Sequence, residues 1–233
     1  MTRKPKTQEQ LDTLLLEAYR RECGAKIYDE LRHAFNIFNL MDVKSMIEVG
    51  NENGGGISAY LNLWDDVHFF GVDADLYGLK TSRADREHRW RSWCSPKQTL
   101  DIIWGDSHAP STLQNLKTKM AEYGLDTVDL LSIDGDHSEA GTEQDFYDYG
   151  ALVSPGGCIV VEDIHPYTYR DGPKKGEYRP DVMVWKFWDR LKPPIISSLG
   201  GDRKPHPRPN WNVFSISHDA GNQNAFGYGF VFK

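Results

Sequence analysis

Residues 128–166 read VDLLSIDGDHSEAGTEQDFYDYGALVSPGGCIVVEDIHP. Two apolar runs, 128–133 and 158–161, each end in acid, the first at Asp134 and the second at Glu162 and Asp163. Between them residues 138–149 have helical spacing, with Ala140, Phe146 and Ala151 toward one side, and SPGG breaks the chain before the second run. A strand, a helix and a strand joined by a right-handed crossover make the strands parallel and, as a rule, adjacent. Their carboxyl ends then open on one edge, where ligands bind in open α/β sheets.

Parallel neighbours lie about 4.8 Å apart, so Asp134, Glu162 and Asp163 are expected to converge at that edge. Two carboxylates about 5 Å apart at an effective dielectric near 20 repel by roughly 3 kcal/mol, so three together call for a cation, a proton or a nearby Lys or Arg. An all-oxygen set suits magnesium, calcium or manganese and not zinc. His137, one turn beyond Asp134, stands where a general base is useful. The spacing also allows a plainer reading, in which Glu162 and Asp163 cap a following helix and His137 bonds to a loop. Sites are recognised by geometry, and spacing alone leaves both readings open.

Working upstream, residues 45–49 (SMIEV) read as a strand leading into the turn GNENGGG, and a helix begins near Ile57. Residues 67–72 (VHFFGV) form a second strand ending at Asp73, and 100–104 (LDIIW) a third ending in GDSH, before a helix over 111–123. Strand, glycine turn, helix and then an acid is the layout of a nucleoside site on a doubly wound sheet. A dinucleotide site would carry glycine at 50, 52 and 55, but residue 52 is glutamate. Glu52 would repel a pyrophosphate, whereas S-adenosylmethionine has no phosphate and carries a sulfonium cation, so the turn favours that cofactor over NAD. Asp73 is expected to accept hydrogen bonds from the ribose hydroxyls and Asp106 from the adenine amino group. Glu48, Gly50, Asn51, Gly54, Gly55, Ser58, Ser107 and Asp134 complete the expected cofactor lining.

With 233 residues, 39% of them hydrophobic, the chain supports one sizeable core, read as a single domain with a helical extension over 1–40 and a catalytic core over 41–233. Acids outnumber bases 34 to 27, for a net charge of −7, which argues against a general nucleic-acid surface and leaves small molecules or proteins as partners. Cys23, Cys94 and Cys158 lie far apart and fit a reducing compartment. The polar start lacks the apolar core of a signal peptide and no run approaches a membrane span, so a soluble cytoplasmic protein is expected.

Helices over 8–23 and 27–38 present apolar stripes that cover a sheet edge or the mouth of the site, or form a homo-oligomer interface. The Arg- and Trp-rich stretch 76–93 reads as a basic helix on the solvent face or as part of a substrate wall. Residues 167–181, with several tyrosines and cations, read as a lid over the acceptor. An aromatic amphipathic helix over 182–191, a short strand over 195–199 and a Pro-rich linker over 201–210 follow. The segments WNVFSISH and GYGFVFK close the chain as an antiparallel hairpin.

The segments EVGNENGGGIS, FFGVDAD, IIWGDS, LLSIDGDH and LVSPGGCIVVEDI resemble class I S-adenosylmethionine-dependent methyltransferases. Within that class they are most similar to the metal-dependent sugar O-methyltransferases typified by the macrocin and mycinamicin enzymes, and to the rhamnosyl O-methyltransferase, or cephalosporin hydroxylase-like, group. The resemblance runs from about residue 45 to 169. It implies a doubly wound, seven-stranded Rossmann-like sheet with a C-terminal antiparallel hairpin, magnesium on Asp134, Glu162 and Asp163, and His137 as the base. It further implies methylation of a hydroxyl on a sugar or glycosylated small molecule. Gly56 departs from the family, which often has serine there, and Ser58 is the nearby hydroxyl. Two alternatives stand beside this expectation, a metal-independent methyltransferase of the same fold and a non-catalytic S-adenosylmethionine-binding module.

Overall fold

In the computed structural model, which describes residues 4–21, 28–76, 81–168, 173–191, 212–216 and 227–233, the chain begins with α1 (Gln8–Arg21) and α2 (Tyr28–Phe38). There follow β1 (Ser45–Val49), α3 (Gly55–Leu63), β2 (His68–Asp73), α4 (Arg83–Arg91), β3 (Thr99–Trp104) and α5 (Pro110–Glu122). The second half holds β4 (Val128–Ile133), α6 (Glu139–Gly150), β5 (Val153–Glu162), α7 (Val184–Leu191), β6 (Asn212–Ile216) and β7 (Tyr228–Phe232). The strands make one seven-stranded sheet in the order β3-β2-β1-β4-β5-β7-β6. Strands β1 to β5 pair in parallel, and β7 runs antiparallel to both β5 and β6. The chain winds outward from β1 to β3 and then returns to β4. The β1/β4 boundary is therefore the switch point, and its carboxyl edge is where a ligand crevice belongs.

Successive strand residues face opposite sides. Met46, Phe69, Leu130 and Cys158 are buried on one side with Leu15 of α1, Phe38 of α2, Tyr60 of α3 and Trp90 of α4. Ile47, Phe70, Leu131 and Ile159 are buried on the other with Met120 of α5, Phe146 of α6 and Trp188 of α7. Burial on both faces is why the central strands read as continuous apolar runs without polar alternation.

The doubly wound sheet with its C-terminal hairpin is the architecture expected from the sequence, with two local differences. SPGG does not precede the last parallel strand but lies inside it. Val153 already pairs with Val128, and the register shifts before Leu130 meets Cys158, so the extra residues are taken up as an irregularity within β5. The basic helix α4 does not turn all its cations to solvent, since Arg86 is only 1% exposed. The expected strand over 195–199, the linker over 201–210, the connection of the hairpin and Cys23 lie outside the described residues. Among the described residues no helix is long and apolar enough to cross a membrane.

Candidate functional site

The ends of β1, β2 and β4 are tied together just beyond the sheet. Gly50 N–H donates to the Val72 carbonyl and Asp134 N–H to the Val49 carbonyl, both at 2.8 Å. Asp73, at the end of β2, collects the turn. Its Oδ2 accepts from the N–H groups of Asn51 and Glu52 at 2.8 Å, and its Oδ1 from the N–H of Asp75 at 2.7 Å. An ionised carboxylate has about four acceptor positions, so roughly one remains open to a ligand.

Glu48 is 1% exposed, and its Oε2 accepts from Asn51 Nδ2 at 2.7 Å. Its Oε1 occupies the space of a residue-56 side chain, since a β-carbon there would lie 1.6 Å away. A larger residue at position 56 would have to displace the Glu48 carboxylate, which supports the turn from within. Helix α3 starts at Gly55 behind the N-cap Gly54, without a side-chain cap. Ser58 Oγ and Asn51 Oδ1 are buried without a hydrogen-bond partner. At an uncapped helix start the Ser58 hydroxyl can donate to a ligand carboxylate, and the Asn51 amide oxygen can accept from a ligand ammonium.

Helix α4 braces this turn from outside. The Arg86 guanidinium sits 4.7 Å from the Trp104 ring centroid and 5.8 Å from that of Trp90, and is paired with Asp75. It donates to the Glu52 carbonyl at 3.1 Å, while Arg89 and Trp90 donate to the Asn53 carbonyl at 3.2 and 3.0 Å. Glu52 has φ 44° and Asp75 φ 59°, left-handed conformations that a non-glycine residue keeps only when its surroundings impose them. For Glu52 they do so from both ends, Asp73 holding its N–H and Arg86 its carbonyl.

Beyond β3, Asp106 is exposed, and the Ser107 carbonyl accepts from the Tyr149 hydroxyl at 2.9 Å. His108 Nε2 lies 3.4 Å from Oδ1 of Asp145, a residue of α6 that is 0% exposed. Burial pushes the Asp145 pKa up to about 6, against the opposing pull of Ser107 and His108. The loop expected to meet adenine is thus fastened to α6 by residues that the sequence reading passed over.

Asp134, His137 and Asp163 each offer one ligand atom, and these atoms lie within 4.8 Å of one another. His137 Nε2 is 3.3 Å from Asp134 Oδ1 and 3.4 Å from Asp163 Oδ2. Asp163 has φ 60°, a further left-handed non-glycine residue. The Tyr167 hydroxyl donates to Asp163 Oδ1 at 2.8 Å. Glu162, expected as the third acid, is not in this group. It is 6% exposed, and its Oε1 accepts at 3.1 Å from Ser132 Oγ, which is itself 3.0 Å from the Tyr60 hydroxyl. Neighbouring residues at the end of a strand point to opposite sides, so Glu162 and Asp163 part company. His137 stands beside the two carboxylates where Glu162 was expected, and the two hard carboxylates of Asp134 and Asp163 are the part of the set suited to magnesium or manganese.

Burial opposes a charge on His137. The hydrogen bond to Asp134 and the charges of Asp134, Asp163 and Glu162 outweigh it, and the His137 pKa is pushed up to about 9. The folded pKa lies above the ordinary value near 6.5, so the associated stability is complete below pH 6.5 and disappears as pH rises through 9. Its ceiling is about 3 kcal/mol. Urea unfolding in EDTA between pH 6 and pH 9.5 should show wild type losing its advantage over His137→Gln across that window. Parallel curves for the two proteins would mean that the imidazolium adds nothing to stability.

A family model described as a methyltransferase domain matches residues 47–164, from β1 to just beyond Asp163. No curated protein matches the sequence. The fold is similar to that of the O-methyltransferase TomG from Streptomyces achromogenes in complex with SAM, at 16% identity and TM-score 0.55 over 97% of this chain and 90% of that one. It is likewise similar to an O-methyltransferase from Bacillus cereus in complex with SAH, at 15% identity and TM-score 0.56 over 98% and 92%. The MycE methyltransferase, in complex with Mg, SAH and mycinamycin VI, is matched at 17% identity and TM-score 0.53 over all of this chain, which spans 55% of it.

Proposed function

The chain belongs to the methyltransferase domain family, and from that premise we propose that it moves the methyl group of S-adenosylmethionine onto a hydroxyl of a sugar or glycosylated small molecule, with magnesium or a similar cation held by Asp134 and Asp163. The observation that carries this reading is the double position of Asp134. Its backbone closes on the glycine turn, where a β-carbon at residue 50 would lie 2.0 Å from the Asp134 carbonyl oxygen, and its carboxylate joins His137 and Asp163. Methyl donor and acceptor oxygen would thus meet on either side of one residue.

In this reading the start of α3, Asn51 and Ser58 receive the methionine end of the cofactor. The one open position of Asp73 takes a ribose hydroxyl, and Asp106 and Ser107 border the adenine. A divalent cation, when bound, supplies positive charge that lowers the cost of ionising an alcohol. Asp134 and Asp163 would hold that cation and orient the acceptor hydroxyl toward the methyl donor, and His137 Nε2 would take the hydroxyl's proton. The MycE complex with Mg and mycinamycin VI supports the choice of metal and of a glycosylated acceptor.

The test is methyl transfer to a panel of sugars, glycosides and catechols, with and without EDTA. Activity untouched by EDTA would keep the methyltransferase and remove the metal. No transfer to any hydroxyl, together with S-adenosylhomocysteine binding, would leave a binding module. The ribose contact needs a ligand variant, because Asp73→Ala would also release three backbone N–H groups of the turn. S-adenosylhomocysteine lacking one ribose hydroxyl should bind wild-type protein about 1 to 3 kcal/mol more weakly by calorimetry, the cost of an unmade buried hydrogen bond. Equal affinity for the deoxy analogues would remove Asp73 from the ribose.

A further inference from the structure

We infer that Tyr167 is a positioning residue for the Asp163 carboxylate, engaging Oδ1 so that Oδ2 stays turned toward His137, and that it couples residues 173–181 to that carboxylate. The inference deepens the metal reading above and rests on it. Asp163 is held between two groups, the Tyr167 hydroxyl at 2.8 Å from Oδ1 and His137 Nε2 at 3.4 Å from Oδ2. A hydroxyl bonded to an ionised carboxylate is a charge-assisted contact, stronger than a neutral one, and it occupies the oxygen it meets. Oδ2 is then the oxygen presented to a cation, and the carboxylate is biased toward binding through one atom.

Asp163 also has φ 60°, in the left-handed region that aspartate tolerates better than most non-glycine residues. Tyr167, four residues on, is itself anchored from the far side of the loop. Its carbonyl accepts from Arg179 N–H at 2.8 Å, Thr168 bridges Tyr178 in antiparallel fashion, and the Arg179 guanidinium lies 5.9 Å from the Tyr167 ring centroid. Among the described residues, the loop expected to be a lid therefore bears on the acid through the Tyr167 phenol. Tyr167 touches neither a reacting atom nor the cation site directly, and acts through Asp163.

Tyr167→Phe removes only the hydroxyl. With S-adenosylhomocysteine present, a titration with Mn2+ followed by electron paramagnetic resonance should show affinity falling about 10- to 100-fold, the usual effect of deleting a partner of a metal ligand. Affinity for S-adenosylhomocysteine and the thermal midpoint should stay at wild-type values, which separates positioning from general damage. Arg179→Gln keeps its backbone N–H but loses the cation over the ring, and should weaken Mn2+ by about 2- to 5-fold. Tyr167→Phe that binds Mn2+ as tightly as wild type, while Asp163→Asn binds it poorly, would overturn the inference and leave the metal reading standing. Wild-type protein that takes up no Mn2+ would instead overturn the metal reading and this inference with it.

Discussion

His137→Ala should lower kcat by about 10²- to 10⁴-fold, the range for losing a general base, and added magnesium should not restore it. The companion Asp163→Asn should also be slow, but because its cation is weakly held, so excess magnesium should recover part of its rate. The contrast follows from the geometry. His137 Nε2 faces both acids, at 3.3 Å from Asp134 and 3.4 Å from Asp163, and their charge pushes its pKa up to about 9, so that the imidazole carries a proton at neutral pH. Only when that charge is neutralised can His137 accept a proton. The deficit of His137→Ala should shrink as pH rises, because more acceptor hydroxyl then ionises unaided. Measuring kcat against magnesium and pH for both variants decides the matter. Rescue of His137→Ala by magnesium, or near-normal activity at neutral pH, would make His137 a counter-charge of the acids and not the base.

The parallel core was legible because its strands are buried on both faces, so that 128–133 and the run ending at Val161 stand out as unbroken apolar stretches ending in acid. Topology did the rest for Asp134, His137 and Asp163, since a right-handed crossover sets the ends of β4 and β5 side by side. Glu162 was read together with Asp163 because two adjacent acids look like a pair. The alternation of side chains along a strand, applied to the last residues of the run, would have separated them. The role of α4 had no local signal. Arg86 is buried through Asp75, Glu52 and Trp104, partners that come together only after β2 and β3 have paired. Asp145 was hidden for a similar reason, because an acid in a polar helix reads as solvated until His108 and Ser107 arrive from another loop. Gly56 departs from a motif in the sequence, and the Glu48 carboxylate that fills the space beside it is visible only in three dimensions.

Gly50→Ala should destabilise the fold by on the order of 3 to 5 kcal/mol, a large share of the roughly 5 to 15 kcal/mol that holds a typical domain. Residue 50 has φ 88°, and its β-carbon would fall 2.0 Å from the carbonyl oxygen of Asp134 and 2.5 Å from the carbonyl carbon. Left-handed strain in alanine costs about 1 to 2 kcal/mol. The overlap adds more because both parties are backbone and cannot swing aside as a flexible side chain would. Relieving it means parting β1 from β4, where Asp134 N–H meets the Val49 carbonyl, or losing the bond from Gly50 N–H to the Val72 carbonyl, each at 2.8 Å. Net losses of about 1 kcal/mol per hydrogen bond bring the sum into the stated range. Gly124→Ala is the control, with φ 70° and nothing within 4 Å of the added carbon, so it should cost only the conformational strain. Urea denaturation of the two variants isolates the close approach of the glycine turn to Asp134. If Gly50→Ala unfolds no more readily than Gly124→Ala, the turn and the acid are not locked together, and the shared wall between the proposed methyl donor and the proposed acceptor loses its physical basis.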